Sequence, residues 1–179
     1  MRLCADLKIY FLRESHMIVV KSEEHSIVHA VMVLFTTMSD LADSKQCTSK
    51  AMHSELIEAG FPDKTAQQAV RWINEIINSK VDITSASQQS FRVYEQFEID
   101  FLGQSSIAKL YNLEAEGVLD ALTRELVIDR LCALGHEKLD EHIVIWVSLI
   151  VLYYTDKDSS ALASLENDVL FALGEGVKH

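Results

Sequence analysis

Cysteine is scarce in this chain. The three present, Cys4, Cys47 and Cys132, are odd in number and far apart, which is neither a disulfide framework nor a zinc ribbon and suits a reducing cytoplasm. The six glycines are scattered, so no phosphate loop or dinucleotide fingerprint can be assembled from them. There is no Gly-x-Ser-x-Gly elbow, and neither Cys47 nor Cys132 sits in the local signature of an activated thiol. Cys132, within an apolar helical pattern, reads as a small core residue. Long apolar runs are missing as well. The densest stretch, Ile143 to Tyr154, has 12 residues interrupted by Ser148, whereas a membrane span needs about 20. It reads as a buried element and implies no membrane insertion.

Positive charge is in short supply, with 16 lysines and arginines against 27 acids and a net charge of −11. Residues 1 to 26 carry four basic and four acidic side chains, residues 27 to 80 five and six, and residues 81 to 179 seven and seventeen. The acidity is therefore a property of the last segment. A field of that sign repels phosphate and favours solubility and a basic partner.

What is present is enough apolar material for a real core: 49% of the residues are hydrophobic and 24% charged, in a length that fits one ordinary domain or two small modules. Residues 1 to 25 form an extension of two short apolar patches without a basic lead or a cleavage motif. A strand, a helix or an upstream start ahead of Met17 all fit it, and a secretory signal does not.

From Ser26 the helical period is clear. Val31, Leu34, Phe35, Met38 and Leu41 fall on one face. Thr48 or Ser49 can cap a short helix bearing Met52, Leu56 and Ile57, which Gly60 and Pro62 stop. Asp63 can cap the next helix, whose stripe is Ala66, Ala69, Val70, Ile73, Ile76 and Ile77. Three short helices over 26–80 predict a module of helix-turn-helix or winged-helix type. The Ser- and Gln-rich stretch 81–90 reads as a linker. Residues 91–179 predict an acidic helical module with one short strand or an extended lead-in near 91–94, then helices over about 95–113, 120–134, 140–153 and 160–173. The expected fold class is all-α, and the two modules can share one core.

These pieces, in this order, resemble the Smg family of small bacterial proteins, also catalogued as a domain of unknown function, over residues 27–179. The residues carrying the resemblance are His-Ala-Val-Met-Val-Leu-Phe at 29–35, Glu-Leu-Ile-Glu-Ala-Gly-Phe at 55–61 and Ala-Val-Arg-Trp-Ile at 69–73. In the second half they are Phe-Arg-Val-Tyr at 91–94, Leu-Thr-Arg-Glu-Leu-Val-Ile-Asp-Arg at 122–130, Ile-Trp-Val-Ser-Leu-Ile-Val-Leu at 145–152 and the closing Gly-Glu-Gly-Val-Lys-His. A typical member begins near Ile27, so the first 26 residues depart from the pattern. The resemblance implies a bacterial cytosolic protein and supplies no catalytic residues.

Chemistry-bearing constellations are few. His136, Glu137, Asp140, Glu141 and His142 mix imidazoles with carboxylates, but the histidines are six apart and straddle a helix boundary, unlike a zinc helix. They read as a solvated turn with an acidic helix start. Asp156, Lys157 and Asp158 lack the ligand spacing of a calcium loop and read as a turn. No catalytic residue, metal or cofactor is expected. The sharpest candidate is the polar face opposite the apolar stripe of the third helix, where Lys64, Gln67, Gln68, Arg71, Asn74 and Asn78 fall together, interrupted by Glu75. Such side chains can reach phosphates and base edges; a plain solvent face is the competing reading. Arg92 precedes Glu95, Glu98 and Asp100 and is expected to pair internally. Trp72 and Trp146 read as packing residues. The leading expectation is a non-enzymatic interaction or regulatory protein whose acidic half contacts another protein; the alternative is a DNA-associated protein using the 63–78 helix.

Overall fold

A computed structural model describes residues 26–38, 48–79, 92–135, 139–155 and 160–165. The extension at 1–25, the 81–90 linker, His136, Glu137, the turn at 156–158 and most of the expected final helix lie outside the described residues. Among those described, every regular element is helical: α1 Ile27–Met38, α2 Ser49–Glu58, α3 Asp63–Asn78, α4 Gln96–Leu102, α5 Gln104–Ala115, α6 Ala121–Cys132 and α7 Glu141–Thr155, with further helical residues at 160–165. The chain divides after Asn78 into two compact units.

In the first unit the helix ends are written locally. The Ser26 hydroxyl accepts from the His29 amide at 3.2 Å at the start of α1. Thr48 is the cap of α2, its side chain accepting from the Ala51 amide at 3.3 Å, a contact of a type that contributes about 1 kcal/mol. Residues 59–62 then reverse the chain. Gly60 takes a positive φ of 93°, a conformation cheap only without a Cβ, and the Phe61 amide closes back on the Leu56 carbonyl at 3.0 Å. Phe61 is buried, its ring centre 4.9 Å from that of His29 in an edge-to-face arrangement. Asp63 is the first residue of α3 rather than its cap; the Ala66 amide donates to the Pro62 carbonyl.

α1 lies mainly against α3, with α2 packed on both. The core is made by Leu34, Phe35, Met52, Leu56, Trp72, Ile73 and Ile76, all buried; each such side chain contributes about 1.5–3 kcal/mol of transfer free energy. Two expected core residues stay outside: Ile57 is 43% and Ile77 47% exposed. Ile77 has the angular position of the stripe but occupies the last turn of α3, and angle alone does not guarantee a neighbour that far along the axis.

The second unit opens with residues 92–95, which form no strand and run irregularly into α4; the expected strand near 91–94 gives way to the extended lead-in, with Phe91 outside the described residues. The single helix expected over 95–113 is two. Gly103, at φ 77°, ends α4 and begins α5, because a left-handed residue cannot continue a right-handed helix. Asp120 caps α6, its carboxylate accepting from the Thr123 amide at 2.7 Å while Thr123 Oγ1 accepts from the Asp120 amide at 2.9 Å. Asp140 accepts from the Ile143 amide at 3.0 Å at the start of α7.

α7 lies against α6 and α5, and α4 packs on α5 and α6. Val144, Trp146, Val147 and the run Leu149 to Tyr153 are all buried, as an element apolar on every side must be. Cys132 departs from its expected place: it is exposed at the last turn of α6. Its thiol is held above the ordinary range by partial desolvation and by the carboxylates of Asp129 and Glu98, the reverse of nucleophile activation. No described helix is long and apolar enough to cross a membrane.

Candidate functional site

The six residues of the α3 polar face divide into two groups. Gln67, Arg71, Asn74 and Asn78 line an open groove of roughly 530 Å³ between α2 and α3, together with Ser49, Lys50, His53, Val70 and Glu75. Lys64 and Gln68 are exposed on the same helix but outside that groove. Gln67, Arg71, Asn74 and Asn78 follow one another at steps of four, three and four, and Lys64, one turn earlier, stands in the first turn of the helix.

The amides of this face are partly committed to the helices themselves. Asn74 Nδ2 donates to Ser49 Oγ at 3.0 Å, pinning α3 to the start of α2. Gln67 Nε2 donates to Asp63 Oδ2 at 2.7 Å, and Asn78 Nδ2 to the Asn74 carbonyl at 2.8 Å. His53 Nε2 is 3.0 Å from Asp63 Oδ1. Lys50 and His53 entered this surface from α2, which sequence reasoning treated only as a helix with a core stripe; their signal is visible once α2 and α3 are known to be neighbours.

In the second unit the chemistry is electrostatic. Arg92 pairs with Glu98 and Glu125, and Arg124 pairs with Glu114 and Glu125, so one chain of alternating charge links the lead-in segment with α4, α5 and α6. Arg124 is 3% exposed. It falls in phase with Val127, Ile128 and Leu131, the buried stripe of α6, and that misplaced charge was the readable sign that a partner waits inside. Arg130 is also buried and pairs with Asp129. The expected internal pairing of Arg92 is present, extended by Glu125. Burial works against the Arg92 charge, but Glu125 and Glu98 outweigh it and hold the guanidinium above its ordinary range.

Tyr94 stands beneath this network, with the Arg92 guanidinium 5.1 Å from its ring centre and the Tyr111 ring edge-on at 5.5 Å. Tyr111 Oη donates to the Arg92 carbonyl at 3.0 Å. Burial, reinforced by Tyr111, pushes the Tyr94 phenol up to about 12, so it stays neutral wherever the protein works.

The surface consequence is one-sided. Among the described residues of this unit no arginine or lysine is fully exposed: Arg124 and Arg130 are buried, Arg92 and Lys109 half-buried. Glu95, Asp100, Glu116, Asp120 and Glu141 are exposed, as is Asp129, the partner of Arg130. Among the described residues the excess of acid is thereby sharpened at the surface, because Arg92 and Arg124 are engaged with Glu98, Glu114 and Glu125. Among the described residues no group of three or more His, Cys, Asp or Glu side chains could hold a metal ion.

Residues 27–179 match a family described as a protein of unknown function, DUF494. The chain is 31% identical over 144 residues to the Smg homolog of Methylococcus capsulatus, covering 80% of this chain and 92% of that one. It is 32% identical over 149 residues to the Smg homolog of Coxiella burnetii strain Dugway, covering 83% and 94%. For the Smg homolog of Alkalilimnicola ehrlichii the identity is 33% over 149 residues, again covering 83% and 94%. No solved structure matches. A match from Ile27 to the last residue, joined to relatives covered almost end to end, places this chain in the Smg family.

Proposed function

We propose that the protein acts by binding another protein, as a non-enzymatic interaction or regulatory factor of the cytoplasm, and that its acidic second unit is the contact surface. The observation that carries this reading is the commitment of Arg92 and Arg124 to Glu98, Glu114 and Glu125, with Arg130 also buried, which leaves the exposed ionisable side chains among the described residues of that unit predominantly acidic. A surface of one sign accelerates encounter with a partner of the other and rejects partners of its own. The test is affinity purification of the tagged full chain from the native cell, beside a variant carrying Asp100→Lys, Glu116→Lys and Glu141→Lys. The expected result is a protein set retained at low salt, released at about 0.5 M salt where exposed charges are screened, and missing from the reversed variant. Equal recovery by both chains, or no enriched protein, overturns the reading.

The groove between α2 and α3 supports a second reading, nucleic-acid association by a helix-turn-helix-like first unit, since Lys50, His53 and Arg71 open onto it beside the amides of Gln67 and Asn74. The first unit carries Glu55, Glu58, Asp63 and Glu75 against Lys50, Lys64 and Arg71 among its described residues, and Gln67, Asn74 and Asn78 hold internal hydrogen bonds. This reading therefore ranks second. Titration of labelled duplex DNA at two salt concentrations decides it: Arg71→Glu should weaken low-salt binding about tenfold or more. Absence of binding at low salt, or indifference to Arg71→Glu, removes it.

A further inference from the structure

The second unit leaves two large apolar side chains in water within five residues of each other: Val93 is 79% and Phe97 65% exposed. Scattered exposed apolar residues are ordinary, but Val93 also lines an open groove of roughly 490 Å³. The walls of that groove are mainly apolar, made by Tyr94, Ile99, Ile107, Ala108 and Tyr111. Its volume falls in the range of ligand-binding clefts.

The charge around it selects the occupant. Arg92 stands at the groove but is already paired with Glu98 and Glu125. Glu95 and Asp100 are exposed on the same lead-in and on α4. Arg92, Arg124 and the half-buried Lys109 are thus set against Glu95, Glu98, Asp100, Glu114 and Glu125, a net negative local field that repels phosphate, nucleic acid and acidic peptides and attracts cations. Apolar walls within a negative rim complement an amphipathic segment with basic flanks, the helix-in-groove mode of recognition.

We propose that the groove formed by residues 92–94, α4 and α5 docks an amphipathic basic segment of a partner protein, its apolar side chains against Val93, Tyr94 and Ile107 and its lysines or arginines toward Glu95 and Asp100. This rests on the acidic unit being an interaction surface and adds the place and the chemistry of the partner.

The probe is a fluorescein-labelled leucine–lysine peptide with leucines at helical spacing, titrated into the full chain by anisotropy. A scrambled peptide of the same composition and a leucine–glutamate peptide serve as comparisons. The helical leucine–lysine peptide should bind most tightly and weaken with salt. Val93→Ser should weaken it about fivefold, since burying such a side chain is worth about 1.5–3 kcal/mol in full and part of that here. Ala108→Trp, which fills the groove from an exposed helical position, should do the same, and circular dichroism should show all variants folded. Equal affinity for the scrambled peptide, tighter binding of the leucine–glutamate peptide, or unchanged affinity in both groove variants overturns the proposal. If the Asp100, Glu116 and Glu141 reversal abolishes peptide binding while the groove variants do not, the groove fails and the acidic-surface reading stands. Sedimentation of the full chain is the remaining arm: a concentration-dependent dimer lost on Val93→Ser would assign the groove to a second copy and overturn the partner assignment.

Discussion

Replacing Arg124 with alanine is expected to destabilise the second unit by about 2–4 kcal/mol, somewhat less than the cost of breaking a fully buried ion pair because its partners keep partial access to water. The guanidinium is 3% exposed and holds Glu114 and Glu125. Removing it deprives Glu114 of its arginine, leaves Glu125 with Arg92 alone and opens a gap beside the buried stripe of α6. The measurement is urea denaturation of the full chain followed by tryptophan fluorescence. The chain has two tryptophans, Trp72 in the first unit and Trp146 in the second, so a Trp72→Phe background makes Trp146 the reporter. The same Arg124→Ala change in a chain already carrying Glu114→Gln and Glu125→Gln should cost distinctly less, since no uncompensated carboxylate remains. Equal losses in the two backgrounds would show that the arginine acts through the packing of its stem alone.

Trp72→Ala should lower the stability of the first unit by about 3–5 kcal/mol, the usual cost of truncating a large buried aromatic. Trp72 is 2% exposed on α3, the helix on which both α1 and α2 pack, so the cavity falls where the three helices meet. A loss of this size is much of the stability of a typical domain. The far-ultraviolet circular dichroism of the variant should accordingly fall at moderate temperature. Ile77→Ala is the matched comparison. Ile77 belongs to the same apolar pattern but is 47% exposed, and its truncation should cost only a fraction of the Trp72 loss. Comparable losses at the two positions would contradict the packing of α3.

The contrast between Ile77 and Trp72 also shows how far the sequence could be read. The stripe Ala66, Ala69, Val70, Ile73 and Ile76 was legible because a period of 3.6 is imposed by the backbone, and all five are buried. The cap at Thr48 and the acidic helix start at Asp140 were legible because they satisfy amides within three residues, whereas Asp63, expected as a cap, is the first helical residue. Gly60 and Pro62 marked the turn before α3 for equally local reasons. The break at Gly103 was missed because an isolated glycine inside a helical pattern is ambiguous until its φ is known. Cys132 was misplaced because the last turn of a helix escapes the burial that its middle enjoys.

The candidate surfaces divide along the same line. The polar face of α3 was visible as spacing, yet Lys50 and His53 join Gln67, Arg71, Asn74 and Asn78 only because α2 lies beside α3, a relation no local pattern encodes. The acidity of the second half could be counted in advance. That its arginines turn inward could not, although Arg124 in phase with Val127 and Leu131 hinted at it.

Sequence alone determined the helical class, the family, the positions of most helix ends and the sign of the charge in the second half, because each is a sum of local or compositional terms. The tertiary structure decided which angularly equivalent residues find a neighbour, which cations are spent on internal carboxylates, and which apolar side chains, Val93 and Phe97 among them, remain in water. Those outcomes depend on contacts between residues far apart in the chain, and the free energy of such a contact is written in neither partner by itself.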